Sequence, residues 1–135
     1  MISYTESLDG ITPEKLRGFF VGWPNPPSSA KHLEILRAAY KIWLAVDTET
    51  DNVVGFINAI GDGVLSAFIP LLEVLPEYQG EGIGSELARR MLDSLRHLYA
   101  VDLICDANVQ PFYVRLGMQP YTGMVFRNYD RQSAE

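Results

Sequence analysis

The segment LEVLPEYQGEGIGS, residues 72–85, decides how the fold is interpreted, because it joins a strand, a glycine-rich turn and a helix. Apolar residues lead to Pro76, the glycines Gly80, Gly82 and Gly84 follow, and a helical pattern begins. The first N–H groups of a helix have no acceptor within it, and the helix dipole adds partial positive charge there. Glycines also let a ligand approach the backbone closely. We therefore predict that this turn binds a phosphate or pyrophosphate.

The helix that follows has the clearest periodicity in the chain. It is predicted over Gly82–Leu98, where Ile83, Leu87, Met91 and Leu95 recur every fourth residue. That spacing places the four side chains on one face, which is typical of a helix packed against a core.

A strand meander is predicted before the turn. Its strands are Ile42–Val46, Val53–Ile60 and Leu65–Leu75, and the sequence Gly61-Asp62-Gly63 between the last two is typical of a hairpin turn. Pro70 lacks a backbone N–H, so we expect a bulge or an unpaired edge at that position.

The N-terminal part is predicted to hold one strand and two helices. The strand is Ile2–Glu6, and the first helix begins at Thr12 with Pro13 in its first turn. The three prolines within residues 23–27 predict a loop, and the second helix begins near Ser28 or Ser29.

The C-terminal part predicts a short strand, a helix and two last strands. The strand is Val101–Cys105, and the helix is capped by Asp106 or Asn108 and ends before Gly117. The last strands are Met118–Tyr121 and Met124–Tyr129, with a turn at Thr122-Gly123. The element order therefore predicts one α/β domain over residues 1–135, with a mixed, mostly antiparallel twisted sheet of about 6–7 strands and about four helices on both faces.

Composition narrows the class of protein. The chain has 135 residues, 47 % of them apolar, and a net charge of −6, which makes nucleic acid a poor partner. It has no apolar run long enough to span a membrane and no recognisable secretion signal, and its single cysteine fits a reducing cytoplasm. His32 and His97 lack the spacing of metal ligands, so we expect no metal site.

Two other phosphate-binding motifs do not fit the turn. The dinucleotide pattern G-x-G-x-x-G, begun at Gly80, requires glycine at position 85, which holds Ser85. A Walker loop requires a lysine after the glycines, and none follows.

Two motifs carry a family resemblance. The pattern Gln79-x-x-Gly82-x-Gly84 resembles the Q/R-x-x-G-x-G/A motif of the GNAT superfamily of N-acetyltransferases. About thirty residues later, the sequence FYVRLGM (residues 112–118) resembles the family's F-Y-x-x-x-G-F segment, with Met118 in place of the last Phe. The resemblance implies acetyl-CoA as co-substrate and transfer of its acetyl group to an amine.

The resemblance also implies the residues that hold acetyl-CoA. The CoA pyrophosphate would lie on the amides of the turn, and the pantetheine arm would pair with the backbone of the preceding strand, where two parallel strands splay apart. The residues so implicated are Glu73, Val74, Leu75, Gln79, Gly80, Glu81, Gly82, Ile83, Gly84 and Ser85, with Asn108 as a further contact to pantetheine.

Tyr113 matches the family tyrosine that faces the thioester sulfur, where a phenol can protonate the leaving thiolate. A general base is harder to assign, because the usual family positions hold Phe68 and Pro70. Glu73 is our first choice, although strand alternation turns it to the opposite side unless a bulge intervenes. Asp62, a chain of waters, or an amine of low pKa are the alternatives.

The acceptor pocket is expected between the loop that joins the first two helices and the late strands. Phe19, Trp23 and Pro24 would line one side, with Tyr121 and Phe126 opposite. We expect a primary amine of a small molecule as acceptor. A protein lysine or N-terminus, and an acyl-CoA-binding module without turnover, remain alternatives. Exposed late strands could pair between chains, so a homodimer also stays open.

Overall fold

The computed structural model describes all residues, 1–135, and contains one five-stranded sheet with the strand order β1-β2-β3-β4-β5. The strands are β1 (Ile2–Thr5), β2 (Lys41–Asp47), β3 (Asn52–Gly61), β4 (Ser66–Val74) and β5 (Ala100–Asp102). The α-helices are α1 (Ser29–Ala38), α2 (Ile83–Ser94) and α3 (Gln110–Val114).

The sheet is mixed and mostly antiparallel, as predicted. The first four strands form an antiparallel meander, and β5 pairs with β4 in parallel. A parallel partner needs a crossover connection, which the segment containing α2 provides. The prediction of 6–7 strands and about four helices was too high, since the structure has five strands and three α-helices.

The missing strands are the two predicted at Met118–Tyr121 and Met124–Tyr129. Residues 118–128 have no regular secondary structure, and residues 119–127 neither donate nor accept a hydrogen bond within the chain. A strand exists only with a hydrogen-bonded partner, and this segment has none in one chain. The strand predicted over Val101–Cys105 also pairs over a shorter range, Ala100–Asp102.

The helix predicted from Thr12 is a single 3-10 turn, Pro13–Leu16. Arg17 is already extended, and Gly18 follows with a φ of +92°, so the helical path stops there. The next helix does begin where Ser28 predicts it, because the Ser28 side chain accepts a hydrogen bond from the backbone N–H of Lys31 at 3.1 Å.

The irregularity expected at Pro70 is present. Asn58 of β3 pairs with Leu71 of β4, and Ile60 pairs with Phe68. The pairing register of the two strands therefore shifts by one residue in the stretch that contains Pro70. A one-residue shift exchanges the two faces of a strand. After the shift, Leu72 and Val74 therefore pack on the same side of the sheet as Ile69.

Each face of the sheet carries its own apolar core. On one face, α2 buries Ile83, Leu87 and Met91 against β3 and β4, as their spacing of four residues predicted. On the other, α1 and the 3-10 turn pack on a cluster that includes Phe56. The longest helix has 12 residues, and none combines the length and apolar character needed to cross a bilayer.

Candidate active site

The glycine-rich turn joins β4 to α2 by way of a 3-10 turn, Pro76–Tyr78. Gly80 and Gly82 have φ values of +81° and +84°, which side-chain-bearing residues rarely adopt. A Cβ atom at either position would meet no atom within 4 Å, so the space above both glycines is open. The turn thus presents bare backbone to solvent.

The backbone N–H groups of this turn are unpaired. From residue 80 to residue 85, none donates a hydrogen bond within the chain. The N-cap of α2 is Gly82, which has no side chain that could accept one of them. A run of free N–H groups at the positive end of a helix dipole is suited to bind an anion, and phosphate binding at this turn stays a prediction.

A cavity of about 270 Å³ opens in front of these groups. It brings together seven of the predicted residues, namely Val74, Gln79, Gly80, Gly82, Ile83, Gly84 and Ser85. Glu73, Leu75, Glu81 and Asn108 lie outside its lining. Asn108 is exposed in the turn before α3, and its role in binding pantetheine stays a prediction.

Two further residues line this cavity that we did not assign to it from the sequence. They are Tyr78, whose hydroxyl donates to Asp47 Oδ2 at 2.7 Å, and Phe112, the first residue of the second motif. The Tyr78 bond ties the turn to the end of β2. Phe112 belongs to a segment that the sequence had singled out, whereas nothing in the sequence indicated the contact between Tyr78 and Asp47.

The backbone of β4 offers an open edge beside the cavity. The parallel pairing with β5 ends at Phe68 and Asp102, so β4 has no neighbour on that side beyond this point. The N–H of Leu75 donates to Val54 on the β3 side, and alternation therefore turns the polar groups of Val74 to the open edge.

At this edge the Val74 carbonyl accepts a hydrogen bond from Gln79 Nε2 at 2.9 Å. The Gln79 side chain thereby folds the turn back onto the end of β4. This bond gives a structural reason for an amide-bearing residue at the first position of the motif.

Tyr113 lies on α3, beside the cavity-lining Phe112, and is itself outside the lining of the cavity. Its ring makes an edge-on contact with Phe112, with ring centroids 4.9 Å apart, and its hydroxyl has no hydrogen-bond partner in the chain. Burial raises the pKa of the Tyr113 phenol, and the Coulombic interaction with the nearby Cys105 raises it further. The hydroxyl therefore stays protonated at neutral pH, as a proton donor must.

The two carboxylates considered as general bases are both engaged. Because of the register shift, the Glu73 side chain lies on the same face of β4 as Phe68. Its carboxylate oxygens nevertheless accept hydrogen bonds from the N–H groups of Phe20 at 2.9 Å and Val21 at 3.3 Å. Asp62 accepts three N–H groups of the hairpin turn, and these bonds, that from Leu65 foremost, lower the pKa of the Asp62 carboxyl.

A second cavity of about 420 Å³ lies on the opposite side of β4. Its walls come from four segments, and the residues that line it are Trp23, Phe68, Pro70, Leu71, Ile104, Arg127, Asn128, Tyr129 and Gln132. None of them carries a carboxylate or an imidazole.

Of the predicted acceptor residues, only Trp23 lines this cavity. Phe19 is buried in the core, where it packs edge-on against His32 and Phe56. Tyr121 and Phe126, expected opposite Trp23, are 93 % and 97 % exposed instead. Both residues lie in the segment 119–127, whose backbone has no strand partner that would direct their side chains inward.

No group of three or more His, Cys, Asp or Glu side chains is placed to hold a metal ion. The cysteine, Cys105, is free and partly buried.

Comparison with known proteins identifies the family. The model of the acetyltransferase (GNAT) family matches residues 8–118. The crystal structure of a candidate acetyltransferase from Deinococcus radiodurans R1 is 48 % identical, covers 98 % of this chain and 92 % of its own, and gives a TM-score of 0.94.

Two curated relatives are longer than this chain. An uncharacterized ycf52-like N-acetyltransferase of Prochlorococcus marinus is 32 % identical over 87 % of this chain and 66 % of its own length. The histone acetyltransferase TAP1 of Glycine max is 29 % identical over 73 % of this chain and 47 % of its own. The chain thus spans about two thirds or less of these relatives. With the turn, the cavity and the family match in agreement, the chain belongs to the GNAT acetyltransferase family.

Proposed function

We propose that this protein transfers the acetyl group of acetyl-CoA to a primary amine of a small molecule. The observation that carries the proposal is the run of unpaired N–H groups from residue 80 to residue 85, which faces a cavity beside the open edge of β4. Few ligands need both an anion site and an extended hydrogen-bonding edge. CoA, with its pyrophosphate and its amide-containing arm, needs both.

Acetyl-CoA fits the molecule in one direction. The pyrophosphate lies on the N–H groups at the start of α2, and the pantetheine arm follows Val74 along the open edge of β4. The thioester then reaches the point where β4 and β5 separate, near Phe68 and Asp102. Both cavities border β4, so this path brings the acetyl group to the second cavity.

The chemistry is direct attack by the amine nitrogen on the thioester carbonyl carbon. A C–N bond forms, the C–S bond breaks, and the sulfur leaves as a thiolate that takes a proton. Tyr113 is our proposed donor of that proton, because its hydroxyl is protonated at neutral pH and makes no hydrogen bond within the chain.

The amine must lose a proton as well, and the second cavity has no carboxylate or imidazole to take it. Glu73 remains the first candidate, provided that its carboxylate leaves the N–H groups of Phe20 and Val21. Otherwise the proton passes to water, and the reaction depends on an amine that is already neutral. The pH dependence of the rate separates these two routes. If water takes the proton, the pH at which the rate rises should change with the pKa of the amine used.

The shape of the second cavity favours a small acceptor with an apolar body. A volume of about 420 Å³ is within the range of small-molecule sites, and Trp23, Phe68 and Tyr129 supply aromatic walls. An aromatic surface binds the apolar part of an amine while leaving the nitrogen free to attack.

A protein acceptor is the second candidate. The soybean relative is by name a histone acetyltransferase, and the net charge of −6 on this chain would attract a basic peptide.

The cytoplasm is our proposed compartment, because a chain with a single cysteine fits a reducing environment.

The test is CoA release from acetyl-CoA in the presence of two panels, one of small primary amines and one of lysine-containing peptides. Turnover with at least one small amine supports the proposal. Turnover with peptides alone would move it to the second candidate. Tight binding of acetyl-CoA without turnover on either panel would indicate an acyl-CoA-binding module.

A further inference from the structure

The second cavity has a lining of two chemical kinds, which come from different parts of the chain. Its aliphatic and phenyl side chains belong mainly to β4 and are Phe68, Pro70, Leu71 and Ile104. Its polar groups, apart from the indole of Trp23, all belong to the C-terminal residues 127–132. A ligand of this cavity therefore meets an apolar strand and a separate polar segment.

The charge in this lining is that of Arg127, which has no acidic partner. Six of the eleven Lys and Arg side chains of the protein form ion pairs. Arg127 is not among them, although the chain contains 17 Asp and Glu residues. Of the five remaining cations, Arg127 is the one that lines either of the two cavities described above. The second cavity thus contains a positive charge that no lining residue neutralises.

The other polar groups of the lining add further hydrogen-bond donors. Gln132 Oε1 accepts the backbone N–H of Asn25 at 2.9 Å, which leaves the Nε2 group of Gln132 free to donate. The guanidinium of Arg127 and the indole of Trp23 donate and cannot accept. A lining rich in donors and free of carboxylates is suited to an anionic oxygen.

We propose that the acceptor amine carries an anionic group, a carboxylate in the simplest case, and that Arg127 binds this group. The inference rests on the proposed function and narrows its substrate class. A guanidinium matches the two oxygens of a carboxylate with two parallel hydrogen bonds, so it orients the ligand as well as attracting it. The amine would then lie at β4 near Phe68, where the proposed path brings the acetyl group.

Electrostatics favour this acceptor over an amine without an anionic group. A protonated amine that enters the cavity is repelled by Arg127 and meets no carboxylate there. A free anion, in turn, is repelled at longer range by the net charge of −6. A molecule with one ammonium and one carboxylate is neutral overall and complements Arg127 locally.

The polar segment is held in place by the rest of the chain. The bond between Gln132 and Asn25 ties it to the proline-rich loop that carries Trp23. Within the segment, the N–H of Arg131 donates to the Asn128 carbonyl at 3.0 Å and closes a 3-10 turn. The Arg127 side chain is itself exposed, so water screens its charge, and we expect it to contribute a preference of about tenfold.

The first arm of the test measures binding and needs no turnover. The ligand para-ethylbenzoate has an apolar body and a carboxylate but no amine, and para-ethylbenzamide is its uncharged counterpart. Both are titrated into the ¹⁵N-labelled full chain with CoA in excess. The benzoate should bind about tenfold more tightly than the benzamide and should shift the resonances of Asn128, Tyr129 and Gln132.

Three variants assign this preference to one side chain. Arg127→Gln should abolish it, and the fold should persist because Arg127 takes part in no ion pair. Arg127→Lys keeps the charge but lacks the planar fork, so it should retain part of the preference. The matched control is Arg131→Gln, in the same segment. Arg131 also lacks an ion pair and lies outside the lining of the cavity, so its replacement should leave the preference unchanged.

The second arm measures acetyl transfer with a matched pair of amines. Phenethylamine and para-carboxyphenethylamine share the apolar body and have amines of similar pKa, but only the second carries a carboxylate. The wild type should show a kcat/KM about tenfold higher for the carboxylated amine. In Arg127→Gln the ratio of the two kcat/KM values should fall to about one.

Equal affinity for the benzoate and the benzamide would overturn the proposal, as would binding of neither or a preference that survives Arg127→Gln. Shifts at residues 80–85 in place of 128–132 would put the carboxylate on the glycine-rich turn and would also overturn it. Acetylation of both amines with equal kcat/KM would reject the anionic acceptor and leave the proposed function standing. The expected binding without acetylation of either amine would support the anion site at Arg127 and reject the proposed function instead.

Discussion

The two cavities on either side of β4 are built in different ways. The walls of the first come almost entirely from one continuous segment, residues 74–85, and the polar groups proposed to bind there are backbone amides. The walls of the second come from four segments, of which Trp23 and Arg127 lie over a hundred positions apart, and the groups proposed to bind there are side chains. A site made of local backbone is set by a short motif, whereas a site made of distant side chains depends on the whole fold.

The largest effect should come from a charge placed in the first cavity. Gly84→Asp adds a carboxylate next to the free N–H groups of α2, where it would occupy them and repel the CoA phosphates. We expect the Kd for acetyl-CoA, measured by isothermal titration calorimetry, to rise at least ~100-fold.

The matched control for this change is Gly84→Ala. A Cβ at this position would lie 3.7 Å from Val74 Cγ2 and 3.8 Å from Phe112 Cζ, which is ordinary contact. Its Kd should stay within about threefold of the wild type. Equal Kd values for the two variants would show that the phosphates bind elsewhere.

The next largest effect concerns Tyr113. Tyr113→Phe removes the hydroxyl and keeps the ring beside Phe112, so the packing of α3 is preserved. We expect kcat to fall about 10²-fold, with the Kd of acetyl-CoA unchanged, because general acid catalysis contributes about that much. Steady-state kinetics beside calorimetry would check it, and an unaltered kcat would remove Tyr113 from the mechanism.

Acid should lower the free energy of unfolding of the protein through His32. This residue is buried among Phe19, Phe20 and Phe56, neither ring nitrogen has a partner, and burial lowers the pKa of His32 from 6.5 to about 4. The unfolded state therefore binds a proton at a higher pH than the folded state does. The stability due to neutral His32 is complete above pH 6.5 and declines from there down to about pH 4.

Urea unfolding at pH 7 and pH 5 measures this dependence. We expect the wild type to lose about 2 kcal/mol of unfolding free energy from His32 over that interval. The variant His32→Leu should lose correspondingly less. Equal losses in both proteins would show that other groups control the acid response.

The smallest effect should come from Trp23→Ala. Trp23 lines the second cavity and is already partly exposed, so its removal should cost the fold little. We expect the KM for the amine to rise about fivefold, from lost apolar contact, and the Kd of acetyl-CoA to stay constant. A change in acetyl-CoA binding instead would mean that the two cavities are not separate sites.

The same contrast explains which parts could be predicted from the sequence. The turn, the start of α2 and the irregularity at Pro70 depend on neighbouring residues, so their glycine, proline and periodic patterns were sufficient. The predicted lining of the acceptor pocket was largely wrong. Phe19, for example, follows a 3-10 turn and is buried in the core, which no local pattern indicated.

The last strands illustrate a different limit. The apolar residues around Tyr121 and Phe126 are suited to a strand, but a strand also needs a partner edge, which residues 119–127 lack within one chain. Glu73 shows what tertiary structure adds to a local pattern. The register shift turns it to the expected side of the strand, and its carboxylate accepts the N–H groups of Phe20 and Val21, which no local pattern indicated.

The most direct test of the central claim is an NMR titration of the ¹⁵N-labelled protein with CoA and, separately, with inorganic pyrophosphate. We predict that both ligands shift the amide resonances of residues 80–85, and that CoA alone also shifts Val74 on the open edge of β4. If neither ligand moves the amides of the turn, the start of α2 is not the phosphate site, and the proposed path of acetyl-CoA along β4 is wrong.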